Sequence, residues 1–304
     1  MFLVPREFLR SPEALGREWA LGEAEAYTRW LARRHYENFH VASLLLPRRL
    51  HQDFFNVYAF CRWADDLADE LGDPAESLKW LAWWRQQTDD LFAGRATHPV
   101  FVALRSTLER HVLPKPPFLD LIRAFIQDQT VTCYLDYPDL FDYCRCSANP
   151  VGRLVLHLCG YCDPERQKLS DSTCTALQLA NFCQDVGADL DRGRLYLPLR
   201  VLERHGCRLE DVWARRATAE FRSALRELTE VARRLFLEGL PLARRVDRRL
   251  AVDIELFTQG GLRILDKIAA QGYDVFVRRP RISRPERAWL LVRTVARTAL
   301  WQAA

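Results

Sequence analysis

Two short stretches of this sequence carry residues whose types and spacing point to chemistry. YAFCRWADDLADE (Tyr58 to Glu70) holds Asp65 and Asp69, and QLANFCQDVGADLDRGRLYLP (Gln178 to Pro198) holds Asp185 and Asp189. On a helix, residues four apart share a face with about 5–6 Å between Cβ atoms, and like charges so placed cost a few tenths of a kcal/mol. Two such pairs make sense where hard divalent cations sit against the carboxylates, because Mg²⁺ takes oxygen ligands and keeps positions open for water or substrate phosphate. The ligand this chemistry anticipates is a diphosphate. The companions fit: Arg62 lies one turn before Asp65 and Tyr58 one turn earlier still, while Gln178, Asn181, Asp185 and Asp189 form one polar stripe on an otherwise apolar helix. Arg192 and Arg194 follow, where a loop can close over phosphate oxygens. Either acidic pair alone reads more readily as a solvated helix face; two pairs, each with polar companions in register, favour a site.

The chemistry expected is ionisation of a diphosphate ester. Two or three Mg²⁺ ions held by Asp65, Asp69, Asp185 and Asp189, with Asn181, would draw negative charge off the leaving group. Arg62 and Arg194 would add charge-assisted bonds to phosphate, and Asp66 and Glu70 are further ligands or supports of the ligands. Gln178 either orients Asn181 or is a satisfied core amide. The carbocation left behind needs an apolar chamber with aromatic faces, which attract cations by roughly 0.5–2 kcal/mol. Phe39, Tyr58, Tyr143 and Phe182 are the candidates, with ordinary core packing as the competing reading for each.

These motifs resemble those of the squalene/phytoene synthases, the head-to-head isoprenyl diphosphate synthases, from about Tyr36 to Ile282. ENFHVASLLLP (Glu37 to Pro47), YCRCSANPVGRLVLHLCGY (Tyr143 to Tyr161), ANFCQDV (Ala180 to Val186) and GYDVFVRRPRIS (Gly272 to Ser283) are most similar to the hydroxysqualene synthase branch of bacterial hopanoid pathways. The resemblance implies an all-α isoprenoid synthase fold, a helical bundle whose two motifs face each other across a central active-site cavity. It places Tyr58 and Tyr143 at motif positions and Asn38, beside the matching Phe39, where many members have a phosphate-binding serine. Two further departures are Gln184, where many members have arginine before the first aspartate of the second motif, and Gly261, where many have tyrosine. The metal-binding positions are kept, so the departures bear on which half-reaction is run.

The elements that must hold these residues read as helices throughout, punctuated by Pro and Gly and without alternating strands. Arg48 to Leu71 is free of Gly and Pro and closes at Gly72-Asp73-Pro74, which predicts one long helix with the first motif near its middle. Asp171 or Ser172 is the expected cap of the second-motif helix, which ends near Gly193. The helix entered at Tyr137–Cys144 is interrupted at Asn149-Pro150. Further helices are expected over Asp211–Leu235, Leu242–Ala270 and Pro285–Trp301. No linker or repeat divides the chain, and residues 1–304 are read as one all-α domain.

Composition narrows the classes. A net charge of +4 dispersed over 304 residues does not suit nucleic acid. MFLVPREFLRSPEALGRE breaks its apolar run at Pro5, and no stretch supplies ~20 apolar residues, so a cytoplasmic protein is expected. Nine cysteines then read as reduced thiols; Cys144, Cys146, Cys159 and Cys162 lie on apolar helix and do not favour zinc. In the last helix Trp289, Val292, Ala296, Ala299 and Leu300 gather on one side and Arg293, Thr294, Arg297 and Thr298 on another. That pattern fits either a helix packed on the bundle or one lying peripherally on the inner face of the plasma membrane.

The expected reaction is conversion of presqualene diphosphate to hydroxysqualene, with water quenching the cation. The resemblance to the hydroxysqualene branch at SANPVGR (Ser147 to Arg153) and ANFCQDV implies that NADPH is not required, and no glycine-rich dinucleotide loop follows a strand. An isoprenoid diphosphate is the expected substrate, handed over by a presqualene diphosphate synthase, and the alcohol would pass to a hydroxysqualene reductase. Alternatives are condensation of two farnesyl diphosphates to squalene, a phytoene synthase, and a non-catalytic membrane scaffold that keeps the fold.

Overall fold

The computed structural model describes residues 2–34 and 47–301, and among them there is no strand, only one isolated parallel bridge between Cys133 and Leu195. The described residues group into two compact units, residues 1–130 with 153–162, and residues 131–152 with 163–304.

In the first unit the first-motif helix runs from His51 to Asp69 after a 3₁₀ turn at Arg48–Leu50. Its buried face repeats at helical spacing through Asp53, Asn56, Phe60, Trp63 and Leu67, which leaves Tyr58, Arg62, Asp65 and Asp69 together on the opposite face. The motif occupies the last two turns rather than the middle. Glu70 closes the helix and Gly72 adopts φ +79°, so the carboxylates stand near a helix end.

Polar hubs lock this helix to its neighbours. Asn56 Oδ1 accepts from Thr28 Oγ1 at 2.6 Å, and its Nδ2 donates to the Ala103 carbonyl and Thr107 Oγ1, both at 3.0 Å. Asp53 accepts from Thr107, Arg110 and His111. These bonds join the helices Leu21–Arg34, His51–Asp69 and Pro99–His111, and satisfied buried networks specify one arrangement of their elements. Beside them Trp63 stacks on Trp84 at 5.1 Å and donates its indole N–H to Tyr27. His98 meets both tryptophans edge-on and caps the following helix by accepting from Val100 N.

In the second unit the second-motif helix spans Pro164–Asp191, 28 residues and about 42 Å. Its cap is Asp163, whose side chain accepts from Arg166 N, and not Asp171 or Ser172, which lie inside the helix. Two glycines permit close packing on its first half: a Cβ on Gly152 would lie 2.4 Å from Ser170 Oγ, and one on Gly239 2.1 Å from Thr173 Oγ1. Gly187, in the second half, has the Phe276 ring 4.0 Å from its would-be Cβ and no closer described neighbour. The helix from Tyr137 ends at Ser147 and a new one starts at Asn149, as the Asn-Pro break predicts. Two expected helices are divided. Arg215 at φ +55° separates Leu209–Trp213 from Ala219–Gly239, and Asp247 caps Arg248–Ala270 after a 3₁₀ segment, Leu240–Arg244.

The last helix, Arg284–Trp301, packs on the bundle with its polar side inward: Thr294 and Thr298 are buried, and Arg297 pairs with buried Glu255. No described helix is long and apolar enough to cross a membrane.

Helix Arg248–Ala270 also buries Asp253, whose two carboxylate oxygens meet no hydrogen-bond partner among the described residues. Burial, reinforced by Asp247, pushes its carboxyl up to about 8. An unfolded aspartate ionises near pH 4, so this group's contribution is fully present below that pH and is lost as pH rises towards 8. Melting temperatures of wild type and Asp253→Asn from pH 4 to 9 should therefore diverge, with the variant gaining as pH rises; parallel curves would contradict the assignment. His98 works in the other direction, since burial lowers its pKa and its contribution is lost as pH falls below about 6.5.

Candidate active site

The first unit contributes a carboxylate face with its own counter-ion. Arg62 forks over two acids of its helix, reaching Asp65 Oδ2 at 2.9 Å and pairing with Asp66. Asp66 is buried, and desolvation outweighs the Arg62 charge, lifting its carboxyl to about 6. Asp65 is half-buried, while Asp69 and Glu70 are exposed. Tyr58 stands two turns before Asp65, half-buried, and burial raises its phenol pKa against the pull of Arg62.

The second unit contributes Gln178, Asn181, Asp185 and Asp189 along one face of its helix, with Asn181 exposed and the other three half-buried. Phe182, Cys183 and Val186 point into the core. Beyond Asp191 the chain reverses at Gly193, φ +71°, and Arg194 N donates to the Asp189 carbonyl at 2.9 Å, the bond pattern of a left-handed helix stop. Leu195 N then donates to the Thr132 carbonyl at 2.7 Å, which pins the loop. Arg192 is exposed and Arg194 half-buried beside this turn.

The pinned loop assembles an aromatic cluster that spacing does not reveal. Phe182 stacks on Tyr196 at 4.0 Å with planes 5° apart, and Tyr134 and Tyr143 adjoin at 5.7 Å from the Tyr196 ring. All four are buried. Tyr143 and Phe182 were anticipated; Tyr134 and Tyr196 were not, and each lies in an extended segment with no helical period to flag it.

A second unanticipated residue is Arg279. Its guanidinium grips Asp185 with two N–H groups, Nη2 to Oδ2 at 2.8 Å, and that carboxylate raises the Arg279 pKa further. The loop bearing it is built to place it: Gln184 donates to the Pro280 carbonyl, Gln271 to the Arg278 carbonyl, and Asp274 accepts from Phe276 N and Val277 N. Gln184 is thus buried and turned onto the loop. Asn149, at the Asn-Pro break, is buried and accepts from Thr175 Oγ1 at 2.9 Å. Asn38 and Phe39 lie outside the described residues. Gly261 has a plain steric cause, since a Cβ there would sit 2.1 Å from Phe236 Cζ; the phenylalanine ring fills the space a larger residue would need.

Among the described residues, no cluster of three or more His, Cys, Asp or Glu forms a ready metal cage. The donor chemistry nonetheless suits a hard divalent cation: each acidic face offers carboxylate oxygens at i,i+4 and no thiolate or imidazole. Asp65 and Asp185 each already hold a positive guanidinium, as carboxylates that attract a cation would.

The all-helical arrangement of the described residues is that of the isoprenoid synthase fold. The structure superposes on a squalene synthase, HpnC, from Alicyclobacillus acidocaldarius with a TM-score of 0.80 and 47% identity, over 84% of this chain and 96% of that one. The squalene/phytoene synthase family model matches residues 32–286, and the chain belongs to that family of head-to-head isoprenoid synthases. Phytoene synthase of Thermus thermophilus is 34% identical over 260 residues, 85% of this chain and 88% of its own length. Hydroxysqualene synthase of Rhodopseudomonas palustris is 34% identical over 232 residues, 75% and 78%.

Proposed function

We propose that this enzyme ionises presqualene diphosphate and delivers water to the resulting cation, giving hydroxysqualene in squalene and hopanoid synthesis. The observation that carries the reading is the second-unit arrangement: Asp185, held by Arg279, and the stacked Phe182–Tyr196 pair lie on one helix and the loop that follows it. The 47% identity to a squalene synthase and the similarity to a hydroxysqualene synthase support the branch.

Asp65, Asp69, Asp185 and Asp189, with Asn181, are the residues that would hold Mg²⁺, which supplies Lewis-acid neutralisation of the departing diphosphate. Arg62, Arg192, Arg194 and Arg279 bind phosphate oxygens through charge-assisted hydrogen bonds. The C–O bond breaks with both electrons leaving on diphosphate. Tyr143, Phe182, Tyr134 and Tyr196 present ring faces to the carbocation, and Tyr58 lines the acidic end. Water adds through oxygen and loses a proton, so no reductant is consumed. The substrate comes from a presqualene diphosphate synthase and the alcohol goes on to a hydroxysqualene reductase, with the whole chain acting as one catalytic domain.

The equal identity to a phytoene synthase favours a second reading, condensation of two isoprenyl diphosphates. One assay separates them: purified protein with Mg²⁺ and presqualene diphosphate in H₂¹⁸O, with and without NADPH, and in parallel with farnesyl or geranylgeranyl diphosphate. The expected product is an ¹⁸O-labelled alcohol formed independently of NADPH. NADPH-dependent squalene, or turnover only of the shorter diphosphates, would overturn the proposal.

A further inference from the structure

The last helix is amphipathic in a sense that leaves its apolar side uncovered. Leu290, Thr294 and Thr298 face the bundle, and Arg297 reaches inward to Glu255. Ala288, Trp289, Val292, Val295 and Ala296 face outward, with Trp289 57%, Val292 69% and Val295 37% exposed. A helix that buries threonines and shows solvent a tryptophan and two valines is placed for contact with something apolar on its outer side.

The charges around this stripe say what kind of surface that is. Arg284 and Arg287 are exposed in the first turn of the helix, and Arg293, beside the stripe, sets its guanidinium 5.0 Å over the Trp289 ring. From Arg278 to Trp301 the sequence has seven arginines against one acid, Glu286. That acid is neutralised from within by Arg263 at 2.7 Å and Lys267 at 2.9 Å. A cleft of about 490 Å³ opens between Trp289, Arg293 and Arg263; a second, of about 690 Å³, shares Arg263 and adds Lys267, Arg278 and Arg281. The second sets five cationic side chains, Arg279 among them, against Asp266 and suits phosphate groups, whereas in the first Asp266 and Glu286 balance Arg263 and Arg293. Val277, 84% exposed, precedes Arg278 in the adjoining loop.

We propose that this face docks on an anionic lipid surface, with Trp289, Val292 and Val295 at the boundary of headgroups and acyl chains and the arginines among lipid phosphates. An apolar strip edged by arginine is the pattern of a helix lying in a membrane interface, and cationic side chains beside such a strip bind acidic lipids in a salt-dependent way. A second copy of the chain fits less well, since a two-fold contact would oppose like charge to like charge. The inference concerns where the protein works and stands apart from which alcohol or hydrocarbon it makes.

The test is flotation of the full chain with vesicles of phosphatidylcholine alone or with one third phosphatidylglycerol, at low and high salt. Wild type should float with the acidic vesicles, detach as salt rises and ignore the neutral ones. Trp289→Ser with Val292→Ser, and separately Arg284→Gln with Arg287→Gln and Arg293→Gln, should each reduce the bound fraction at least tenfold. Melting temperature should stay unchanged, as should turnover of detergent-dispersed substrate. Flotation equal to wild type in both variants, equal binding to neutral vesicles, or a wild-type dimer in light scattering that the same substitutions split would each overturn the proposal. Loss of turnover in wild type itself would count against the reaction proposed above and leave the flotation result to stand.

Discussion

Asp185→Asn should lower Mg²⁺-dependent diphosphate release by about 10³-fold or more, because several kcal/mol of leaving-group stabilisation depends on full negative charge at the ligand. Asp65→Asn should behave alike. Neither change should unfold the protein. Asp185 is paired with a guanidinium that is 45% exposed, and a pair so open to water contributes on the order of 0–1 kcal/mol. Removing one of two carboxylates four residues apart also relieves a small repulsion. The measurement is diphosphate release against Mg²⁺ concentration, with circular dichroism melts of the same samples. Full activity in both variants with unaltered melts would remove these residues from the site.

Gly261→Tyr should destabilise the fold by several kcal/mol. The first side-chain carbon already meets the Phe236 ring at 2.1 Å, and Phe236 is fully buried. Overpacking costs typically about 1–3 kcal/mol for extra methylenes and more for a whole ring. Phe236→Ala alone should cost about 3–5 kcal/mol through the cavity it leaves. Combined, the two should cost clearly less than their sum, because the tyrosine enters the space the phenylalanine vacates; residues in contact couple by about 0.5–3 kcal/mol. Urea unfolding of both single variants and the double variant gives the answer. Additivity would mean that the contact does not govern this position.

Much of the candidate site's layout was legible because its signals are local. Carboxylates at i,i+4 share a helix face whatever surrounds them, so Asp65 with Asp69 and Asp185 with Asp189 follow from the sequence once the segment is helical. Helix ends at Gly72 and Gly193 follow from the same kind of reasoning, since glycine enters the left-handed region without the penalty a side chain brings. The cap of the second-motif helix was misplaced for a related reason: Asp163-Pro164 and Asp171-Ser172 both carry start signals, and only packing of Ser170 and Thr173 against Gly152 and Gly239 shows that the helix is already formed there.

What the sequence determined by itself is the helical class, the family, the two acidic faces and the polar companions in register with them, all products of short-range periodicity. The tertiary structure alone decided the rest. Arg279 meets Asp185 across 94 residues, and Tyr196 stacks on Phe182 through a loop pinned to Thr132, contacts that no spacing rule encodes. Asp253 is buried without a hydrogen-bond partner among the described residues, and burial pushes its carboxyl up to about 8. The outward turn of Trp289 and Val292 belongs to the same class. Both sides of the last helix are visible in its sequence, but which side is buried depends on what the neighbouring helix presents. Glu255, buried there, draws Arg297 and its threonine neighbours inward and leaves the apolar side exposed, because an unpaired buried carboxylate costs more than an exposed valine.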